Sequence, residues 1–281
     1  MFASAQLAPT LFALLATFSW GVSDFVGGFA SKRTNAFLVT SFTHMSGATL
    51  MLALALALGS PFPSRHAVVW AMAAGLVGGL SLAIFYRALA VGKMGLTAPV
   101  SALLGAGIPT LAGIYRQGAP GAVRIAGFVL AGIGIWLVSR SEGQEGHTNG
   151  LGLAVLAGIG FAGFFLCMKQ AGDISPLWGA GLSRSMSLVA TAIVVLVARQ
   201  STPLARAGIG LGLLAGVVDS TGTAVYVKAS QLGRLDSAVV ISSLYPAITV
   251  LLARVLLGEH FTRWKMVGLV AALAAVPMIA M

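Results

Sequence analysis

Phe85-Tyr86-Arg87-Ala88-Leu89-Ala90-Val91-Gly92-Lys93 and Tyr226-Val227-Lys228-Ala229-Ser230-Gln231-Leu232-Gly233-Arg234 read as two copies of one design. Set one above the other, the cations, Ala88/Ala229 and Gly92/Gly233 coincide at a single offset, 234 − 93 = 141. The likeness extends over Gly75–Gly95 and Gly216–Asp236. It returns near the end of each half, where Arg124-Ile125-Ala126-Gly127 meets Lys265-Met266-Val267-Gly268 at the same spacing, 265 − 124 = 141. In a chain of 281 residues that offset predicts two similar halves.

Composition places the halves in a membrane. Hydrophobic residues make up 58% of the chain and charged ones 9%, against about 25% charged in soluble domains. Apolar runs recur at the length that crosses about 30 Å of hydrocarbon. About ten spans are expected: Leu7–Phe29, Phe37–Leu58, Val68–Ala90, Thr97–Tyr115, Val123–Val138, Leu151–Met168, Leu177–Ala198, Ile209–Ala229, Ser237–Leu257 and Trp264–Ile279. The runs lack the alternation of barrel strands. The first lacks a basic leader and is too long for the core of a cleavable signal. Although the formal charge is +10, most Lys and Arg sit singly at span ends, where they snorkel to headgroups, so no nucleic-acid partner is expected. The lone Cys167 lies inside a span and reads as an inert thiol.

The expected organisation is a first half over 1–140, a connecting loop over 141–150 and a second half over 151–281. Five spans per half is an odd number, so the second copy enters the membrane upside down. The expectation is therefore an all-α integral membrane protein, two inverted five-helix repeats around a central cavity. Orientation stays open: with cytoplasmic termini, more Lys and Arg fall in outside loops than in inside ones.

Four ionisable residues fall deep within spans: Asp24, His44, Arg184 and Asp219. A central charge costs about 2.5–3.5 kcal/mol on insertion scales, so such groups pair or face a cavity. Similar depth suggests an Asp24–His44 pair in one half and an Arg184–Asp219 pair in the other, either as helix staples or as part of a site. Gly, Ser and Thr at helical spacing flank all four and indicate inward faces. Trp20, Tyr86, Phe161, Phe165, Tyr226 and Tyr245, with Ser101 and Ser242, are the further candidates for a substrate-binding wall. Pro99, Pro109 and Pro246 mark kinks or breaks in spans four and nine.

The chain resembles the EamA-type, ten-helix branch of the drug/metabolite transporter superfamily. The resemblance rests on Trp20-Gly21, Tyr86-Arg87-Ala88-Leu89-x-x-Gly92, Pro109 and Pro246, Gly258-Glu259, and Arg184 early in the seventh span. It implies two inverted five-helix halves, cytoplasmic termini, a bacterial inner-membrane setting, and export of amino acids, other metabolites or drugs. Two departures stand out. Gln117-Gly118 replaces the expected Gly-Glu pair of the first half, and His44 stands where Arg184 would have its counterpart.

The expected function is a secondary transporter of a small molecule, working in contact with membrane lipid. Coupling to protons would follow if an Asp24–His44 pair faced the cavity, since imidazole titrates near neutrality. No Gly-x-x-x-x-Gly-Lys-Ser/Thr loop for nucleotide occurs, and no cofactor, metal site or catalytic residue is expected. The alternatives are a carrier of drugs, other solutes or lipid-linked substrates on the same fold, and an intramembrane hydrolase using Ser23, Asp24 and His44 or an Asp24/Asp219 dyad.

Overall fold

The computed structural model describes residues 2–92, 94–139, 150–197, 206–258 and 262–281. Lys93, Arg140, Arg199, Glu259 and the connecting loop up to Asn149 lie outside the described residues. Within them the chain forms eleven helices and no strand: α1 (Phe2–Ser31), α2 (Ala36–Ala57), α3 (Arg65–Val91), α4 (Met94–Gln117), α5 (Ala122–Ser139), α6 (Leu151–Gln170), α7 (Pro176–Val197), α8 (Arg206–Leu232), α9 (Leu235–Ser242), α10 (Tyr245–Leu257) and α11 (Arg263–Ala280). Nine segments are long and apolar enough to cross a membrane, and Ala122–Val138 is a shorter apolar helix. Because α9 and α10 together form the span Leu235–Leu257, the helices resolve into ten crossings.

Sequence chemistry explains the ends and the breaks. The Asn35 side chain accepts hydrogen bonds from the backbone N–H groups of Phe37 and Leu38, and Ser64 and Thr262 cap α3 and α11 in the same way, satisfying donors that a first helical turn leaves free. α4 runs through Pro99 and Pro109 without interruption. Span nine breaks instead, between Ser242 and Tyr245, with Pro246 in the first turn of α10. Proline has no N–H to return to the preceding turn, and a broken helix survives in lipid where protein groups satisfy the freed carbonyls. Here Thr17 Oγ1 donates to the Ile241 carbonyl at 2.7 Å and Thr249 Oγ1 to Gly21 at 3.1 Å, tying both pieces to α1.

The contacts between helices repeat under exchange of the halves. α1 packs on α8 as α6 packs on α3, and α2 on α8 as α7 on α3, while the pairs α2/α7 and α5/α11 face each other across the exchange. Single residues obey it too. Ser101 Oγ donates to the Ala154 carbonyl at 2.8 Å and Ser242 Oγ to the Ala13 carbonyl at 3.4 Å, with 242 − 101 = 154 − 13 = 141. Gly160 lies against Ser81 as Gly222 lies against Ser19, and Gly127 against Ile279 as Gly268 against Val138. Gly75 meets the backbone of Ser183, and Gly216 that of Thr43; here 216 − 75 = 141 but 183 − 43 = 140, so α2 and α7 correspond one residue out of step. At Gly75 and Gly216 a β-carbon would overlap the facing main chain, which is why small residues hold these crossings.

Candidate functional site

Between the halves lies a cavity with about 520 Å³ of atom-free space, the part open to the outside included. Trp20 and Asp24 reach it from α1, Gly78 and Leu82 from α3, Ala102 and Gly105 from α4, and Phe161, Phe164 and Phe165 from α6. Arg184 of α7, Asp219 of α8, Ser243 of the break and Tyr245 of α10 complete the wall.

The charged part of the wall is asymmetric. Arg184 Nε stands 2.6 Å from Asp219 Oδ2, with both side chains about 95% buried. The guanidinium also donates to Thr223 Oγ1 one turn further along α8, and lies 5.9 Å from the centre of the Phe164 ring. Asp24, 5% exposed, shares the cavity with this pair. Its carboxylate makes no ion pair or hydrogen bond among the described residues, yet it lies within electrostatic reach of Asp219, Arg184, Tyr86 and Tyr245.

The expected Asp24–His44 pair does not form. His44 is fully buried and lies outside the cavity wall, its imidazole turned to the Gly79 main chain of α3 rather than to Asp24. The correspondence of halves gives the reason. At the offset of 140 His44 matches Arg184 (184 − 44 = 140), and at 141 Gly78 matches Asp219 (219 − 78 = 141). The position that would hold the partner of His44 is a glycine, and Asp24 projects from another helix into the cavity.

The aromatic wall forms two groups. Trp20, Phe164, Phe165 and Tyr226 pack with ring centres 5.0–6.5 Å apart. Phe85 joins the other two through edge contacts, 5.5 Å to Phe161 and 6.3 Å to Tyr245. Of the sequence candidates, Trp20, Asp24, Phe161, Arg184, Asp219 and Tyr245 stand in the wall. Tyr86, Ser101, Tyr226, Ser242 and His44 stand behind it. The Tyr86 hydroxyl is engaged with Ser23, 3.1 Å away at Oγ, and Tyr226 is locked among rings. Ser101 and Ser242 spend their hydroxyls on interhelical staples.

Phe165, an expected candidate, also stands in the wall, whereas Phe164 and Ser243 were not expected. The duplication carried a signal for Phe164, which aligns with Ser23 (164 − 23 = 141). The hydroxyls of Ser243 and Tyr245, each at least 95% buried, have no hydrogen-bond partner. Both residues belong to the cavity wall.

The model of the EamA-like transporter family matches the chain twice, over residues 7–140 and 148–281. The chain belongs to that family, within the drug/metabolite transporter superfamily, and is a multi-pass membrane transporter rather than an enzyme. The Ser23–His44 arrangement of the hydrolase alternative is not assembled: Ser23 Oγ donates to the Ala215 carbonyl at 3.0 Å. A solved crystal structure superposes with a TM-score of 0.75 over 97% of this chain and 98% of its own, at 16% identity, a likeness of fold. No curated protein matches the sequence.

Proposed function

We propose that this transporter exports amino acids or similar small metabolites across a bacterial inner membrane, by rocking its halves, 1–140 and 151–281, about the central cavity. The observation that carries the reading is the composition of the wall. Two aromatic groups, a carboxylate without a partner, an ion pair and two unpartnered hydroxyls converge between the two repeats. Groups of this kind, buried at some cost, are retained where a solute replaces water around them. Counterflow of labelled amino acids in proteoliposomes, with a panel of unlabelled competitors, tests it. Competition by a defined set of solutes is expected, and absence of counterflow for the whole panel would remove the reading.

Proton coupling, in this proposal, runs through Asp24. Two carboxylates, Asp24 and Asp219, face one guanidinium, Arg184. One formal negative charge is left over, and a proton or a solute balances it in turn. Asp219, Arg184, Tyr86 and Tyr245 are the titratable groups around it. Counterflow is expected to lose its dependence on pH in Asp24→Asn and to keep it in His44→Gln. The opposite result would return coupling to the imidazole.

A further inference from the structure

The charge left over in the cavity has a shape around it. Asp24 shares the cavity wall with members of both aromatic groups, Trp20, Phe165 and Phe164 of one and Phe161 and Tyr245 of the other. Arg184 is shared: its Nε faces Asp219, another nitrogen donates to Thr223, and its Cζ lies 5.9 Å from the centre of the Phe164 ring. The wall holds two carboxylates, Asp24 and Asp219, against this one guanidinium, so a solute cation is favoured over a solute carboxylate and meets an unengaged carboxylate and several aromatic rings. Ring faces attract cations through their quadrupole, most strongly where water is excluded. The hydroxyls of Ser243 and Tyr245, buried in the same wall without partners, supply hydrogen bonds beside the charge.

We propose that Asp24 anchors an organic ammonium group whose apolar body lies between the two aromatic groups, so that the solutes preferred by the cavity are amphiphilic amines. Free monocarboxylates and neutral isosteres are excluded by the same arrangement. A zwitterion enters through its ammonium end, and a substituted or esterified carboxyl group improves its fit, because the two carboxylates of the wall outnumber its one guanidinium.

The inference rests on the transport reading above, and its test separates the two. Purified full-length protein in detergent is titrated with three isosteric probes, 2-phenylethylamine, 2-phenylethanol and phenylacetate, and the shift in thermal-unfolding midpoint is followed. The amine is expected to half-saturate at a concentration at least tenfold below the other two. Asp24→Asn is expected to abolish that preference, Asp24→Glu to keep it, and Tyr245→Phe to keep it with weaker binding. Equal response of the wild type to all three probes would overturn the anchor without any variant having to fold. So would an amine preference that survives in a folded Asp24→Asn. The same probes then compete in proteoliposome counterflow. Counterflow that ignores the amine retains the transporter and removes the anchor. Amine binding in a protein that shows no counterflow for any solute retains the anchor and removes the transport reading.

Discussion

Arg184 with Asp219, and His44 with Gly78, occupy equivalent places in two halves that otherwise share their packing to the level of single residues. In one half the buried cation holds a carboxylate 2.6 Å away. In the other an imidazole has the Gly79 main chain for a neighbour, and glycine, Gly78, stands where Asp219 has its counterpart. The frame is symmetric and the chemistry is not. A duplicated membrane fold needs its small residues twice, because helices must approach closely in both halves. It needs its charges once, because the two halves enclose one cavity between them and a second set would only add desolvation cost.

The largest effect that can break this comparison is at the ion pair. Removing one partner of a buried pair leaves an uncompensated charge and costs about 3–5 kcal/mol. Arg184→Met is therefore expected to lower the thermal-unfolding midpoint in detergent sharply, and Arg184→Met with Asp219→Leu to recover most of the loss. Loss in the double variant equal to that in the single one would show that the pair is not what holds α7 to α8. His44→Leu is the matching experiment in the other half. A single neutral hydrogen bond to a backbone group contributes about 0.5–1.5 kcal/mol, so replacing the imidazole beside Gly79 is expected to cost far less than breaking the ion pair. A drop comparable to that of Arg184→Met would mean that His44 has a further partner of its own.

Smaller and symmetric effects are expected at the glycine crossings. Gly75→Ala and Gly216→Ala each press a methyl group into a facing backbone carbonyl, at Ser183 and Thr43, and overpacking of this kind costs about 1–3 kcal/mol. Similar losses at the two sites sharpen the picture of one frame used twice, and a large effect at one alone would break it. Smallest of all are the staples. An interhelical hydrogen bond within a membrane averages about 0.6 kcal/mol. Ser101→Ala, at a 2.8 Å bond, is expected to cost more than Ser242→Ala, at 3.4 Å; the reverse order would argue that the broken span depends on its serine.

Most of this architecture was legible before any coordinates. The offset of 141 located the halves, and the apolar runs located the spans. Pro246 marked a break, although Pro99 and Pro109 did not produce one in α4. Residue types alone singled out the four ionisable groups buried deep within spans, Asp24, His44, Arg184 and Asp219. What depth could not give was rotation about each helix axis. Asp24 and His44 sit at similar levels, but only packing decides that one turns into the cavity and the other towards α3. The one-residue slip between α2 and α7 was equally hidden, since it shows only in which backbone each glycine meets. Phe164 looked like any apolar residue in a span, because lining a cavity and filling a core ask the same of a phenyl ring.

At one end of the bundle Arg234 grips Asp236 in two directions, Nε at 3.1 Å from Oδ1 and Nη2 at 2.8 Å from Oδ2. The same guanidinium donates to the main chain just past α4, to Gly118 O at 2.8 Å and, more distantly, to Gln117 O at 3.5 Å. Every amino acid carries a carbonyl oxygen, so this grip places no demand on the side chain at position 117. The demand falls on position 118, whose φ of 79° suits glycine. A family motif can therefore lapse in the first half, with glutamine standing where the Gly-Glu pattern begins, and the clasp still closes. Mutational drift at this corner is free in its side chains and constrained in its backbone.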